Sequence, residues 1–147
     1  MKIKTLLIAN RGEIACRIAR TARASGITPV GVHSQADANA LHVREIGKSV
    51  CIGAGPASES YLKIDAVIAA AQSVGADAIH PGYGFLAENP DFARSVEAAG
   101  MIFMGPTPET LERFGDKASA KEAAVAASVP VISGAEGARS DPEQIAE

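Results

Sequence analysis

The loop at residues 80–89 carries side chains that could bind a ligand. It reads His80, Pro81, Gly82, Tyr83, Gly84, Phe85, Leu86, Ala87, Glu88 and Asn89. A short apolar stretch precedes it, so we place the loop at the carboxyl end of a predicted strand, where parallel sheets bind their ligands. Tyr83 lies between two glycines, and we expect its ring to face a cleft with the hydroxyl free. The alternative is a structural loop, in which His80 is a hydrogen-bonded core residue and Asn89 caps the next helix.

A second candidate is Lys117, which stands in the segment Gly-Asp-Lys-Ala-Ser at residues 115–119. It is predicted in the first turn of a helix, where the helix dipole disfavours a cation. A bound phosphate would offset that cost. On the residues alone we prefer the simpler interpretation, a solvated lysine paired with Asp116 or Glu122.

The first predicted strand is not followed by the loop that binds a dinucleotide. Residues 9–15 contain a single glycine, whereas the fingerprint needs bare backbone at several points. Glu13 also places negative charge at the helix N-terminus, where the pyrophosphate would lie. We therefore exclude classical NAD binding. Glu13 complements the helix dipole instead, Arg11 is free to pair with a carboxylate, and the glycine-containing segment at residues 53–58 is interpreted as a turn.

Alternating strands and helices must position these loops. Strands are predicted at residues 4–9, 27–33, 49–52, 78–80 and 101–104, and helices at residues 13–25, 38–46, 64–74 and 91–99. Short connections between alternating elements are typical of an α/β protein with a Rossmann-like, doubly wound parallel sheet.

The predicted strands stop after Pro106. Two short helices follow, at residues 108–114 and 117–127, and Asp141 with Pro142 has the signature of a further helix start. The chain ends roughly one turn later. We therefore divide it into a domain at residues 1–106 and a helical segment at residues 107–147, and we expect the end to be a truncation.

Composition limits the class of protein. The chain has 147 residues, a net charge of -3, 47% hydrophobic and 21% charged residues. These values are typical of a globular protein and give no reason to expect nucleic acid as a partner. No apolar run in the sequence is long enough to cross a bilayer. Cys16 and Cys51 lack a partner at ligand spacing, so we expect two buried thiols and a reducing cytoplasm.

The sequence resembles the biotin carboxylases. The resemblance rests on five segments in the order and spacing of that family, at residues 8–15, 60–62, 80–89, 103–106 and 115–117. It implies the N-terminal part of the biotin carboxylase subunit or domain of an acyl-CoA, pyruvate or urea carboxylase. Such an ATP-grasp ligase uses ATP to activate bicarbonate as carboxyphosphate and then carboxylates N1′ of biotin. The N-terminal, pre-ATP-grasp domain would be a Rossmann-like fold that forms one wall of the site.

The resemblance also assigns roles to individual residues. Lys117 matches the lysine that contacts ATP, which reverses the preference for a solvated lysine. Tyr83 and Gly84 match the loop on the biotin and bicarbonate side of the cleft. Arg17 and Arg20 match positions at the homodimer face. No catalytic residue and no metal ligand of the family falls within the chain.

For the complete enzyme, the resemblance implies ATP, Mg2+ and biotin, with a biotin carboxyl carrier and a carboxyltransferase as partners. The phosphate lid, the Mg2+ carboxylates and the residues that bind bicarbonate and biotin belong downstream of Glu147. The chain also lacks a Met-Lys-Met biotinylation site. We therefore expect the chain alone to be inactive.

The sequence departs from the family pattern at residues 46–48, which read Ile-Gly-Lys where Ala-Asp-Glu is usual, and at residues 54–56, which read Ala-Gly-Pro where Pro-Ala-Pro is usual. Both departures concern local structure and subfamily. Two other hypotheses remain open at this point: a free-standing non-catalytic module that associates with a full-length carboxylase, and a small Rossmann-like nucleotide-binding protein.

Overall fold

The computed structural model describes residues 2–132, and the predicted helix start at Asp141 lies outside them. The chain divides into two compact units, residues 1–108 and residues 109–147. The first unit contains, in chain order, β1 (Thr5–Ile8), α1 (Gly12–Ala24), β2 (Thr28–His33), α2 (Leu41–Ile46), β3 (Ser49–Cys51), α3 (Ile64–Ser73), β4 (Ala78–His80), α4 (Pro90–Ala98) and β5 (Ile102–Phe103). The second unit contains α6 (Lys117–Ala126) and nearly all of α5 (Pro108–Gly115).

The five strands form one parallel sheet in the order β3-β2-β1-β4-β5. Strand order therefore reverses direction at β1, which pairs with β2 on one side and with β4 on the other. At such a switch point the loops that leave the two neighbouring strands diverge and open a crevice at the carboxyl edge. The predicted α/β fold is confirmed, and the loop at residues 80–89 leaves β4 at this edge.

The hydrophobic core is built around β1, the central strand of the sheet. Leu6, Leu7 and Ile8 are each at most 2% exposed. Helix α1 packs its small side chains on one face of this strand, and the cluster they form comprises Leu6, Ile8, Ala15, Ile18, Ala19, Ala22, Ile46 and Ala78. Alanines allow the helix to approach the sheet closely, and the charged residues of α1 remain on its outer face.

Two local predictions need correction. The predicted helix at residues 38–46 begins only at Leu41, because the Ser34 hydroxyl bonds Asp37 and residues 35–37 form a short 3-10 turn. Cys16 is buried as predicted, but Cys51 is exposed. Cys51 is the last residue of β3, and β3 is an edge strand with only β2 beside it. Among the helices of residues 2–132, none has the length and apolar character needed to cross a membrane.

The turn after β3 depends on a glycine without a side chain. Gly53 has φ +143°, and a Cβ there would lie 2.0 Å from the carbonyl oxygen of Glu59. The carbonyl oxygen of Gly53 accepts a hydrogen bond from the backbone N–H of Gln35 at 2.9 Å. This bond connects the turn to the loop after β2. The backbone of residues 53–59 leaves no room for a larger residue.

We predict that Gly53→Ala destabilises the chain more than Gly100→Ala does. Both glycines have positive φ, but no atom lies within 4 Å of a Cβ at Gly100. The control therefore carries only the backbone cost of roughly 1–2 kcal/mol, whereas Gly53→Ala adds a clash with backbone. Thermal and urea unfolding of the two variants measure the difference. Equal losses would show that the turn relaxes freely around the added methyl group.

Candidate functional site

A single carboxylate joins the loops at the carboxyl edge of the sheet. Asp37 Oδ2 accepts hydrogen bonds from the Tyr61 hydroxyl at 2.6 Å, the Ser34 hydroxyl at 3.1 Å and Arg11 Nη1 at 3.1 Å. The Tyr61 oxygen in turn accepts the backbone N–H of Ser34 at 3.1 Å. The donors come from the loops after β1, β2 and β3. The expected pairing of Arg11 with a carboxylate is thus found, with Asp37 as the partner.

The network changes the acidity of both partners. Burial raises the pKa of the Asp37 carboxyl, but the hydrogen bonds from Tyr61, Arg11 and Ser34 outweigh it and hold that pKa below its ordinary value. Burial, followed by the hydrogen bond to Asp37, raises the pKa of Tyr61 to about 12. The pair is therefore held as a carboxylate and a neutral phenol.

Aromatic stacking extends the network to the loop after β4. The rings of Tyr61 and Phe85 stack with centroids 4.9 Å apart. The Arg11 guanidinium lies over both rings, 5.3 Å and 5.4 Å from their centroids. Phe85 has φ +46°, a conformation uncommon for a residue with a side chain. The ring stacking and the Arg11 guanidinium stabilise this conformation. They hold the loop at residues 80–89 against Tyr61 and Arg11.

Tyr83 is on the outer side of the same loop. Tyr83 is 61% exposed, whereas Tyr61 is 1% exposed. The prediction of a free hydroxyl is wrong, because the Tyr83 hydroxyl donates a hydrogen bond to Glu13 Oε1. This bond, together with the charge of Glu13, raises the pKa of Tyr83. The first turn of α1 thus reaches across the switch point to the loop of β4.

The backbone of the loop is held by Asn10, a residue whose part in the site the sequence did not reveal. Asn10 is 3% exposed, and its Nδ2 donates to the carbonyl oxygens of Pro81 and Tyr83, both at 2.8 Å. Asn10 comes two residues after β1 and Pro81 directly after β4, and these strands are neighbours. The contact could be found only from the order of the strands in the sheet, because that order places the segments after β1 and β4 side by side.

His80 and Asn89 have the structural roles that the sequence offered as the alternative. His80 Nδ1 accepts the backbone N–H of Gly82 at 3.0 Å, and burial, followed by the charge of Arg17, lowers the pKa of the ring. Asn89 Oδ1 accepts the backbone N–H of Phe92 at 3.0 Å and caps α4. These two residues form structural hydrogen bonds at the two ends of the loop.

Arg17 and Arg20 are both exposed on the outer face of α1. Arg20 Nε donates to the carbonyl oxygen of Cys16 at 3.4 Å. Arg17 borders a shallow groove of about 220 Å³ that also includes Thr21, Ile27 and Met104. The two arginines thus belong to the α1 surface and are separate from the hydrogen bonds of the loop.

Lys117 lies in the second unit, at the first position of α6. Asp116 caps this helix, with Oδ1 accepting the backbone N–H of Ser119 at 2.8 Å and its hydroxyl at 2.9 Å. Within residues 2–132, Lys117 is exposed and has no ion-pair partner. The pairing with Asp116 or Glu122 that we preferred on spacing alone is therefore wrong, and an exposed ammonium remains at the start of the helix.

The part of the chain that the structure describes, residues 2–132, contains no group of three or more His, Cys, Asp or Glu that could hold a metal ion. The carboxylates at the sheet edge accept hydrogen bonds from protein side chains: Asp37 from three side chains and Glu13 from Tyr83. The site therefore offers hydrogen bonds, an aromatic ring and bare backbone to a ligand.

We predict that the chain loses stability as pH rises from 10 to about 12, the ordinary and folded pKa of Tyr61. A raised pKa in the folded state means that stability is complete below the unfolded value and is lost as the phenol ionises in the unfolded chain. Urea unfolding measured across this range tests the prediction. Tyr61→Phe should remove most of this pH dependence, whereas Tyr83→Phe, at the exposed tyrosine, should remove only the smaller part that its hydrogen bond to Glu13 contributes.

The comparisons of this chain with known proteins all indicate the same family. The family model described as biotin carboxylase, N-terminal domain, matches residues 2–111. Biotin carboxylase of Pseudomonas aeruginosa is 52% identical over 98% of this chain and 32% of its own length. The mitochondrial propionyl-CoA carboxylase alpha chain of Caenorhabditis elegans is 49% identical over 95% of this chain and 19% of its own length. The chain thus spans about a third or less of these relatives.

Solved structures of carboxylases are similar to this chain in fold and in sequence. The biotin carboxylase domain of a single-chain bacterial carboxylase has a TM-score of 0.84 at 46% identity, over 90% of this chain and 31% of that one. A complete multifunctional pyruvate carboxylase from Rhizobium etli has a TM-score of 0.83 at 42% identity, over 90% of this chain and 13% of that one. The shared fold, the match along nearly the whole chain and the loop held at the switch point lead to one assignment: this chain belongs to the biotin carboxylase N-terminal domain family.

Proposed function

We propose that this chain is the N-terminal part of a biotin carboxylase that uses ATP and bicarbonate to carboxylate biotin. The observation that carries the proposal is the 52% identity with Pseudomonas aeruginosa biotin carboxylase along 98% of the chain. Residues 1–106 would be the N-terminal domain, and residues 107–147 would lead into an ATP-grasp domain. In this proposal the described residues contribute binding groups to that enzyme, and we assign no bond-making or bond-breaking role to any of them.

Tyr83 and Gly84 supply the contacts on the biotin and bicarbonate side in this proposal. Three features support the role: the loop leaves a strand at the switch point, Tyr83 is 61% exposed, and Gly84 has φ +65° with no atom within 4 Å of a Cβ. A bare backbone beside an exposed aromatic ring lets a flat, polar ring system lie close to the chain. The ureido ring of biotin has this shape and polarity.

Lys117 supplies a cation to the phosphates of ATP. Its ammonium is exposed and unpaired within residues 2–132, so it is free to form a charge-assisted hydrogen bond with phosphate oxygen. No Mg2+ ligand is proposed among the described residues, since they contain no suitable cluster. The metal, when bound in the complete enzyme, would neutralise phosphate charge through carboxylates supplied elsewhere.

The proposal includes partners and a place of action. A biotin carboxyl carrier would present biotin, and a carboxyltransferase would take the carboxyl group from it. Arg17 and Arg20 would lie at a homodimer face, which their exposure on α1 permits. The enzyme would act in the cytoplasm.

A chimeric enzyme tests the proposal. This chain replaces the matching segment of Pseudomonas aeruginosa biotin carboxylase, and the purified chimera is assayed for ATP-dependent carboxylation of free biotin. We expect activity from the chimera and none from the chain alone, because carboxyphosphate needs a closed site that excludes water. A folded chimera without activity would contradict the proposal, as would bicarbonate-dependent phosphate release by the chain alone.

In the chimera, Lys117→Ala should weaken ATP binding by roughly one to two orders of magnitude, because one charge-assisted contact contributes about 1.5–3 kcal/mol. Titration with ATP measures the change. Lys121→Ala, which removes the same charge one turn further along α6, is the matched control and should leave the affinity nearly unchanged. Equal effects of the two substitutions would indicate general electrostatic attraction without a specific contact.

In the same chimera, Tyr83→Ala should reduce biotin-dependent turnover by roughly tenfold or more, the effect of losing one good contact. ATP affinity should change far less, since the proposal gives ATP to Lys117. Steady-state kinetics with each substrate varied in turn separate the two effects. A variant whose kinetic constants for biotin match those of the parent chimera would remove Tyr83 from the site.

A further inference from the structure

Two side chains, Asn10 from the turn between β1 and α1 and Glu13 from the first turn of α1, contact Tyr83 and the backbone beside it. Asn10 bonds the backbone of the loop, and Glu13 bonds the hydroxyl of Tyr83. The two contacts are chemically independent, since one uses a neutral buried amide and the other an exposed carboxylate. Together they fix Tyr83 at both ends, at its carbonyl and at its hydroxyl.

Asn10 has the donor and acceptor pattern that this position requires. Both N–H groups of its amide are used, on the carbonyls of Pro81 and Tyr83, and Oδ1 accepts the backbone N–H of Arg11 at 2.9 Å. A buried amide whose groups are all bonded has one favourable orientation. An aspartate would have the same shape, but its carboxylate would face two carbonyl oxygens and repel them.

The loop packs directly on this amide. Gly82 has φ +70°, and a Cβ there would lie 2.7 Å from Asn10 Nδ2. Backbone and amide are therefore in close contact with nothing between them. The position of the Tyr83 backbone thus follows the Asn10 side chain, with little freedom to shift.

Glu13 controls what the Tyr83 hydroxyl offers a ligand. The carboxylate is in the first turn of α1, where the helix dipole favours negative charge, and it accepts the phenolic hydrogen. A hydroxyl whose hydrogen is committed in this way presents only its oxygen lone pairs. Tyr83 therefore meets a ligand as a hydrogen-bond acceptor, which suits an N–H group and not a carbonyl.

We propose that Asn10 and Glu13 are positioning residues for Tyr83: Asn10 fixes its backbone, and Glu13 orients its hydroxyl to accept a hydrogen bond from an N–H group of the ligand. The inference rests on the proposed function, in which that ligand is the ureido ring of biotin. The ureido group carries N–H donors beside its carbonyl, so an accepting hydroxyl selects one edge of the ring.

The first test uses Asn10→Asp in the chimeric carboxylase. The isosteric change should raise the KM for free biotin roughly tenfold, because the loop moves away from the repelling carboxylate. The KM for ATP should stay within about twofold. Asn89→Ala is the matched control, since it removes an asparagine hydrogen bond from the same loop at the helix cap, away from Tyr83. Asn89→Ala should lower the melting temperature without raising the KM for biotin.

The second test is a double-mutant cycle in the chimera between Glu13→Gln and Tyr83→Phe. Glu13→Gln should raise the KM for biotin severalfold, because the neutral amide accepts the phenolic hydrogen less strongly than the carboxylate and can itself donate to the phenolic oxygen, so the hydroxyl is no longer held as a donor. In the Tyr83→Phe background the same substitution should have no further effect. Glu13 is exposed, so the variant keeps its fold and decides the matter even where Asn10→Asp does not fold.

A third measurement needs no catalysis. The chain has two tyrosines and no tryptophan. In a Tyr61→Phe background, phenolate absorbance reports Tyr83 alone. Glu13→Gln should then lower the pH at which Tyr83 ionises, since the pKa of Tyr83 is raised by Glu13. An unchanged titration would show that the hydrogen bond does not persist in solution and would overturn the role of Glu13.

The outcomes separate this inference from the proposed function. Unchanged biotin kinetics in Tyr83→Ala would reject the role of Tyr83 itself. A clear defect in Tyr83→Ala, with unchanged biotin kinetics in both Asn10→Asp and Glu13→Gln, would overturn the positioning roles alone. Equal rises in the KM for ATP and for biotin in Asn10→Asp would indicate general loss of structure and would also count against positioning.

Discussion

The hydrogen bonds to the Asp37 carboxylate determine how the carboxyl edge of the sheet is built. This acceptor is shared by Arg11, Ser34 and Tyr61, which arrive from three different loops. A partly buried carboxylate is stable only when its donors are in place, so each loop fixes the position of the other two. Arg11 then lies over the stacked rings of Tyr61 and Phe85 and adds the loop after β4 to the assembly.

The turn after β1 has a different task here from that in a dinucleotide-binding fold. In those proteins the helix N-terminus and bare glycines receive a pyrophosphate. Here Glu13 occupies the first turn of α1, and the side chain of Asn10 points to the neighbouring loop. The polar groups of the switch point therefore bind protein, and Tyr83 remains exposed beyond them.

Periodicity and cap signals were sufficient to predict the sheet and its helices, because each apolar run is short and ends at a turn residue such as Gly26 or Gly75. Contacts between distant residues were not predictable. Asn10 meets Tyr83 across 73 positions, and Tyr61 meets Asp37 across 24. The exposure of Cys51 depends on which strand lies at the edge, and the bonded hydroxyl of Tyr83 on strand order. Sequence alone supplied neither.

The position of β1 between β2 and β4 has a consequence for synthesis on the ribosome. β1, α1 and β2 emerge early and can pair at once, since their contacts are local. The other edge of β1 stays open until β4 emerges, about 70 residues after β1 itself. Asn10 then lacks its hydrogen-bond partners until Pro81 and Tyr83 arrive. The loop at residues 80–89 is therefore completed late, and a nascent chain shorter than this exposes an unpaired edge of its central strand.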